Sequence, residues 1–303
     1  MKASDRPENI LRIMFYNIYG YKWYPDKAAT PHLSSGPVPV RQKMEIQLIR
    51  RYSPDVLGMQ EYCTAFNKDM TPLLEEAGYT RVPVWNPEPD AKGNPINFTP
   101  LFYRAERLNM FDSGYLLYDG PNDVNSKSLT WAAFEEIKTG KRFLAISTHF
   151  MYNDPKLPEG AANAARVKNA KQLLGFINDA LRKYKDLPLI VGGDLNSFYE
   201  SDPFSALRSG GLEWLYDIAE EKNNSSGLKK YAVYDENKGE YITCPIPAEE
   251  PERAIDHVFL KQGSKKNGEI NVLRYLAITD REACLSSDHC PRIADILLSG
   301  GKE

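Results

Sequence analysis

The chain has 303 residues, enough at about 100–200 residues per domain for one large domain or two small ones. Its 42% hydrophobic and 26% charged residues exclude a wholly disordered chain, a collagen-like fibre and a coiled coil. The 38 basic against 41 acidic residues leave a net charge of −3, which excludes a strongly basic, non-specific nucleic-acid coat but not a basic groove on an acidic body.

Taken in chain order, the first nine residues, MKASDRPEN, show no charged-then-apolar signal pattern. Residues 1–9 read as a disordered or trimmed segment ahead of a single domain over 10–299. The compartment is then cytoplasmic, or extracellular with a signal removed. Residues 11–18 read as a strand, 41–52 as an amphipathic helix, 55–59 as a short buried strand and 64–77 as a helix stopped by Gly78. Strands follow at 101–103, 129–137 and 142–149, the last two joined by a hairpin turn at 138–141. Residues 161–184 form the longest helix, and strands are expected at 187–191, 254–260 and 291–298. Hairpins mixed with strand–helix–strand units imply layered mixed sheets flanked by helices. Residues 19–39, 83–100 and 220–253 read as loops, the first an aromatic rim carrying His32. No run approaches about 18 apolar residues, so no transmembrane segment is expected. Cys63, Cys244, Cys284 and Cys290 form no C-x-x-C pair, which argues against structural zinc and for free, buried thiols.

Polar residues interrupt these apolar strands in a repeated way. Side chains alternate along a strand, so Ile13, Phe15 and Asn17 share a face that ends in an amide. Leu57, Met59 and Glu61 form a similar row, as do Ala145, Ser147 and His149. Ile190, Gly192, Asp194 and Asn196 continue the pattern. Asp256 lies inside a strand, and Asp288-His289 directly precede the last one. His257, next to Asp256, points to the opposite face and reads as structural. Buried carboxylates are costly unless paired or bound to metal. Asp, Glu and Asn oxygens suit Mg²⁺, Mn²⁺ or Ca²⁺ better than zinc. A hard cation beside an Asp–His pair has the parts that phosphoester hydrolysis needs: an oriented water, neutralised phosphoryl charge and a stabilised leaving oxygen.

The ordered set is Asn17 in FYNIYG, Glu61 in DVLGMQEY, His149 in AISTHF, Asp194 and Asn196 in VGGDLNS, Asp256 in AIDHVF and Asp288-His289 in SSDHCP. It resembles the endonuclease/exonuclease/phosphatase superfamily, which includes deoxyribonuclease I and apurinic endonucleases. The match covers about residues 11–298. The resemblance implies a four-layered α/β sandwich, two mixed β-sheets packed face to face with helices outside. It implies hydrolysis of a phosphoester with Mg²⁺ or Mn²⁺. Glu61 would be the principal metal ligand beside Asn17, with Asp288 supporting that side. His289, oriented by Asp256, would be general base or phosphate-binding acid. Asp194 would position or activate water, Asn196 would hold a phosphate oxygen and His149 would bind the scissile phosphate. Tyr103 and Arg104 in TPLFYR would contact substrate.

The expected substrate is a phosphodiester, nuclease-like; a sphingomyelinase-like lipid diester or a small phosphorylated molecule is the alternative, and a monomer is expected. Two departures argue against particular subfamilies. Tyr19 stands where apurinic endonucleases carry an acid, and Ser197-Phe198 where inositol polyphosphate phosphatases carry Tyr-Arg. Asn-Ile-Tyr-Gly is loosely similar to the Asn-x-Trp-Gly of sphingomyelinases. A catalytically silent binding module would have lost an acid or histidine from this set, and a structural calcium site would leave His149 and His289 without a purpose.

Overall fold

The structure, a computed structural model, describes residues 6–20, 38–62, 64–83, 99–119, 127–228, 230, 232–264 and 268–299. His32, Cys63, most of the two loops before residue 100, and Lys229, Lys265 and Lys266 lie outside the described residues. The chain runs β1 (Ile10–Asn17), α1 (Val38–Tyr52), β2 (Val56–Gln60), α2 (Thr64–Glu76), β3 (Thr80–Arg81) and β4 (Leu101–Tyr103). It continues through β5 (Leu108–Leu117), β6 (Ser128–Glu136), β7 (Arg142–His149), α3 (Ala161–Lys183), β8 (Leu189–Asp194) and α4 (Asp202–Ser209). Then come β9 (Glu213–Trp214), α5 (Leu215–Ile218), β10 (Glu221–Lys222), β11 (Tyr234–Asp235), β12 (Glu240–Tyr241), β13 (Asp256–Lys261), β14 (Glu269–Ala277), α6 (Arg281–Ser286) and β15 (Arg292–Ser299).

Two large mixed sheets result. One has seven strands in the order β10-β14-β15-β1-β2-β4-β3, the other six in the order β5-β6-β7-β8-β13-β9, and β11-β12 pair separately. The alternation within β1 explains how the layers stack. Leu11, Ile13 and Phe15 point into the core shared by the two sheets, with Phe134, Ala145, Ile190 and Val258 opposite. Met14 and Tyr16 point the other way, onto Ile46, Ile49, Met70 and Leu74 of α1 and α2. On the far side of the second sheet, Ile146 and Val191 meet Leu173 and Ile177 of α3. The order is helix, sheet, sheet, helix, the expected four-layered α/β sandwich. Phe15 sets the sheet spacing: a Cβ at Gly58 or Gly192 would come within 2.6 or 2.4 Å of its ring.

Two long strands, β5 and β14, carry too irregular a pattern for sequence reading. Asp112, Ser113 and Gly114 break the run in β5, and both strands shift register, between Met110 and Asp112 and between Val272 and Arg274. A bulge reverses the alternation midway, so neither half matches a period of two for long. Folded structure also begins before Ile10, because Arg6 donates to Asp55 at 3.0 Å. Cys284 and Cys290 are buried and Cys244 is partly exposed, and among the described residues no helix is long and apolar enough to cross a membrane.

Candidate active site

Strand register assembles the first half of the site. Along the second sheet Ser128 pairs with His149, His149 with Asp194, and Asp194 with Asp256. Adjacent strands lie about 4.8 Å apart, so an imidazole and two carboxylates stand side by side at one sheet end, all buried. The facing sheet adds Asn17, whose Nδ2 donates to Asp194 Oδ2 at 2.9 Å and to Glu61 Oε1 at 3.3 Å. One amide at the end of β1 thus joins both sheets.

Glu61 arrives by a different route from the one its sequence row implies. Leu57 and Met59 face the helices, not the other sheet. Simple alternation would have carried Glu61 outward with them. Instead β2 ends at Gln60, and Glu61 takes a left-handed backbone, φ 61°. That turn brings its carboxylate back, where the N–H of Gly20 donates to Oε2 at 2.6 Å. A Cβ on Gly20 would lie 2.8 Å from the Glu61 carbonyl, so only glycine allows this approach. Asn196 is redirected in the same way, past the end of β8 and at φ 48°, with its N–H donating to Asp194 Oδ1 at 2.8 Å. Tyr19, at φ 55°, donates its N–H to Asn17 Oδ1 at 3.0 Å. Left-handed non-glycine residues are uncommon and cost free energy; three of them gather here.

The segment before β15 closes the site. Ser287 Oγ donates to the Asn17 carbonyl at 2.7 Å and accepts from the His289 N–H at 3.1 Å. His289 Nδ1 then sits 2.7 Å from Asp256 Oδ2, while Nε2 lies 3.9 Å from Asp288 and 4.0 Å from Asp194. Burial alone would depress the His289 pKa, but Asp256, Asp288 and Asp194 outweigh it and hold the ring well above its ordinary value. Burial likewise acts to raise Asp194. The His149 ring, by charge and hydrogen bond, with His289 and the Asn196 N–H, reverses this and keeps it below the usual carboxylate range. His257 behaves as expected of a structural residue. It faces away, packs on Phe204 and Trp214, and lies 2.8 Å from the Ser197 carbonyl; burial brings it down to about 3.

On the other side of His149 stand residues that sequence reading passed over. Lys127 is buried, with Nζ 3.0 Å from His149 Nε2, and Asn196 Nδ2 is 3.1 Å from the same nitrogen. Arg166 of α3 is half-buried, and its charge acts on Asp194. A lysine leading directly into a strand was the one available sign of the first. The second sits unmarked among the alanines of a long helix.

Glu61, His149 and Asp194 offer ligand atoms within 4.8 Å of one another, and so do Asp194, Asp256 and His289. The carboxylates of Glu61, Asp194, Asp256 and Asp288 face two imidazoles and one lysine. This oxygen-rich, incompletely neutralised donor set fits a hard divalent cation. Tyr103 and Arg104 do not belong to it, which corrects the substrate-binding expectation. Tyr103 pairs with Val56 at the start of β2, the end remote from Glu61, and its ring packs at a tilt against Phe134. The Arg104 N–H donates to the Asp55 carbonyl, and its guanidinium covers the Tyr79 ring. Because β4 runs antiparallel to β2, Leu101, not Tyr103, lies nearer the site.

With this geometry in view, a family model described as the endonuclease/exonuclease/phosphatase family matches residues 14–289. The carbon catabolite repressor protein 4 homolog 3 of Arabidopsis thaliana is 22% identical over 225 residues, 72% of this chain and 46% of that protein. The chain therefore spans about half the length of this curated relative. A solved endonuclease/exonuclease/phosphatase from Bacteroides vulgatus superposes with a TM-score of 0.69 at 21% identity, covering 96% of this chain and 99% of that one. A mannosyl-6-phosphatase from Bacteroides thetaiotaomicron gives 0.68 at 23% identity, over 94% and 99%. At such identities the structural likeness speaks for the fold.

Proposed function

The chain belongs to the endonuclease/exonuclease/phosphatase family, and from that premise we propose that it is a divalent-metal-dependent phosphoester hydrolase whose centre is the row His149, Asp194 and Asp256 capped by His289. The carrying observation is that row: two buried carboxylates paired across neighbouring strands, with an imidazole against each. Two adjacent acids are tolerated in a core only where positive charge is supplied.

Glu61, with Asn17 and Asp288, would hold Mg²⁺ or Mn²⁺. A bound ion supplies charge neutralisation for the phosphoryl oxygens and the leaving oxygen. The other roles belong to side chains. Asp256 fixes the His289 tautomer through Nδ1 and leaves Nε2 directed at the substrate. Asp256, Asp288 and Asp194 hold the ring well above its ordinary pKa, which supports reading His289 as the phosphate-binding acid rather than the general base. Asp194, held below the usual carboxylate range, would orient the attacking water and pass on its proton. Lys127 Nζ and Asn196 Nδ2 are both donors against His149 Nε2, so the imidazole accepts from them and would hold these two groups where they can donate to a non-bridging phosphate oxygen.

The test pairs a chromogenic phosphodiester and a chromogenic phosphomonoester with Mg²⁺, Mn²⁺ or EDTA. Turnover of at least one ester, lost in EDTA and restored by added metal, is expected. Absence of turnover of both with either ion overturns the proposal.

A further inference from the structure

The short turn after β1 aims both groups at the heart of the metal side. The Tyr19 N–H holds Asn17 Oδ1 at 3.0 Å, and the Gly20 N–H holds Glu61 Oε2 at 2.6 Å. A residue of α1 holds the turn itself. Arg41 is buried, and its Nη1 donates to the carbonyls of Ile18 and Ser286 at 3.0 Å each. Its guanidinium carbon also lies 5.3 Å from the centre of the Tyr19 ring. Ser286 ends α6, and Ser287, Asp288 and His289 follow it directly. One side chain therefore joins the turn that orients Asn17 and Glu61 to the segment that carries His289.

Nothing within α1 favours a cation at this position. Arg41 stands in the first helical turn, which holds no acid, and there the helix dipole opposes positive charge. Its i+4 partner Glu45 lies 3.7 Å away, in the order Arg then Glu, the weaker of the two orders. Burying a charge is costly unless it is paired and hydrogen-bonded. The compensation comes from the two carbonyls. That of Ser286 is among the last of α6, has no partner within its helix and lies at the negative end of that helix.

Resting on the hydrolase reading above, we propose that Arg41 is a positioning residue of this centre: by binding both carbonyls it fixes the turn that aims Asn17 and Glu61 against the segment that carries Asp288 and His289, and so sets how tightly a divalent cation is held. Two further bonds join the same segments, one between the Tyr16 hydroxyl and Ser286 Oγ at 2.7 Å and one from Ser287 Oγ to the Asn17 carbonyl at 2.7 Å. With these in place, loss of Arg41 loosens the turn without opening the fold.

The test measures Mn²⁺ binding without substrate, by calorimetry and by the metal-induced shift in Tm, and then turnover of a chromogenic phosphoester against Mn²⁺ concentration. Arg41→Lys keeps the charge beside Glu45 and shortens the reach to the carbonyls. The double variant Arg41→Met, Glu45→Gln removes both buried charges together, so neither is left unpaired. The Kd for Mn²⁺ should rise at least about tenfold in both, the usual cost of losing a group that orients metal ligands, and kcat at saturating metal should fall. Glu45→Gln alone leaves Arg41 on both carbonyls and should bind Mn²⁺ as wild type does. An arginine that only supports the fold would lower the metal-free Tm and leave the Mn²⁺ Kd of the folded protein unchanged. A wild-type Kd in Arg41→Lys or in the double variant therefore overturns this inference, as does an equal loss of affinity in Glu45→Gln. Metal-dependent turnover by the wild type keeps the hydrolase reading in either case. A wild type that binds no Mn²⁺ and hydrolyses no ester removes both.

Discussion

The first sheet buries charge at both of its ends, and the two ends handle it differently. At the start of β1, Arg12 holds Asp295 with two hydrogen bonds, 2.6 and 2.8 Å, and its own N–H donates to Asp55 at 2.7 Å. Arg6 and Arg107 complete Asp55, Arg274 completes Asp295, and Glu136 and Glu221 answer Arg107 and Arg274. Four acids meet four guanidiniums. Five residues further along β1, about 17 Å away, the second cluster sets four carboxylates against two imidazoles, a lysine and the charge of the half-buried Arg166, with Lys127 and Asn196 both directing donors at His149 Nε2. Its backbone is strained, and among the described residues the buried His149 Nδ1 has no hydrogen-bond partner. The comparison separates a cluster that fastens strands from one arranged to receive charge from outside. A balanced set gains nothing from a cation; an acidic one does.

The contrast can be broken by exchanging the damage. Arg12→Met leaves Asp295 and Asp55 short of a partner, and breaking a buried pair costs about 3–5 kcal/mol. Denaturant unfolding should show that loss, while kcat per folded molecule stays at wild-type level. His289→Ala and Asp194→Ala should do the opposite. Each is expected to lower kcat by at least about 10²-fold, the usual contribution of an acid–base group, with a cooperative unfolding transition retained. Wild-type turnover in either would remove the catalytic assignment. A large kcat loss in Arg12→Met would show that the two ends are not separate.

How legible each end was in the sequence follows from the same difference. The candidate-site residues Asn17, His149, Asp194 and Asp256 end or enter apolar strands, so a period of two is enough to group them, and strand register brings His149, Asp194 and Asp256 side by side. Glu61 and Asn196 were found as motif members, but their row logic was incomplete. A left-handed turn, not alternation, brings each one in, and such a turn leaves no apolar pattern. Arg12 and Asp295 were invisible as partners because they lie 283 positions apart, joined only by the pairing of β1 with β15. Lys127 and Arg166 escaped for a related reason: nothing in their neighbours marks them as buried. Tyr103 and Arg104 were misplaced because a strand shows which faces alternate, not which of its ends meets the site.

A smaller effect sharpens the claim that one cluster awaits charge. A ligand that binds only the folded state stabilises it by RT ln(1 + [L]/Kd), about 2.7 kcal/mol at one hundred times Kd. Mg²⁺ or Mn²⁺ should therefore raise the Tm of the wild type. The shift should persist in a variant of the balanced cluster such as Glu221→Gln and shrink in Asp288→Asn. A metal-induced shift of equal size in wild type and Asp288→Asn would take Asp288 out of the cation site.

The smallest effect per step concerns an acid belonging to neither balanced set. Glu45 of α1 is fully buried, and among the described residues neither carboxylate oxygen has a hydrogen-bond partner and Arg41 lies 3.7 Å away. Arg41 is committed elsewhere, donating to the carbonyls of Ile18 and Ser286 at 3.0 Å each and so tying together the two segments that flank the site. Burial, only partly offset by Arg41, pushes the Glu45 carboxyl up to about 8. The sign follows from linkage. The folded protein keeps a proton that the unfolded chain releases near pH 4.3, so stability is greatest below that pH and falls as pH rises towards the folded pKa. Across about pH 5 to 8 this group alone contributes a decline on the order of 1 kcal/mol per pH unit. Glu45→Gln mimics the protonated form and should flatten that slope, giving a variant more stable than wild type at pH 8 and nearly equal at pH 5. Parallel stability–pH curves for the two proteins would mean that Glu45 is ionised in the fold, and that Arg41 or the surrounding interior stabilises its charge far better than their separation suggests.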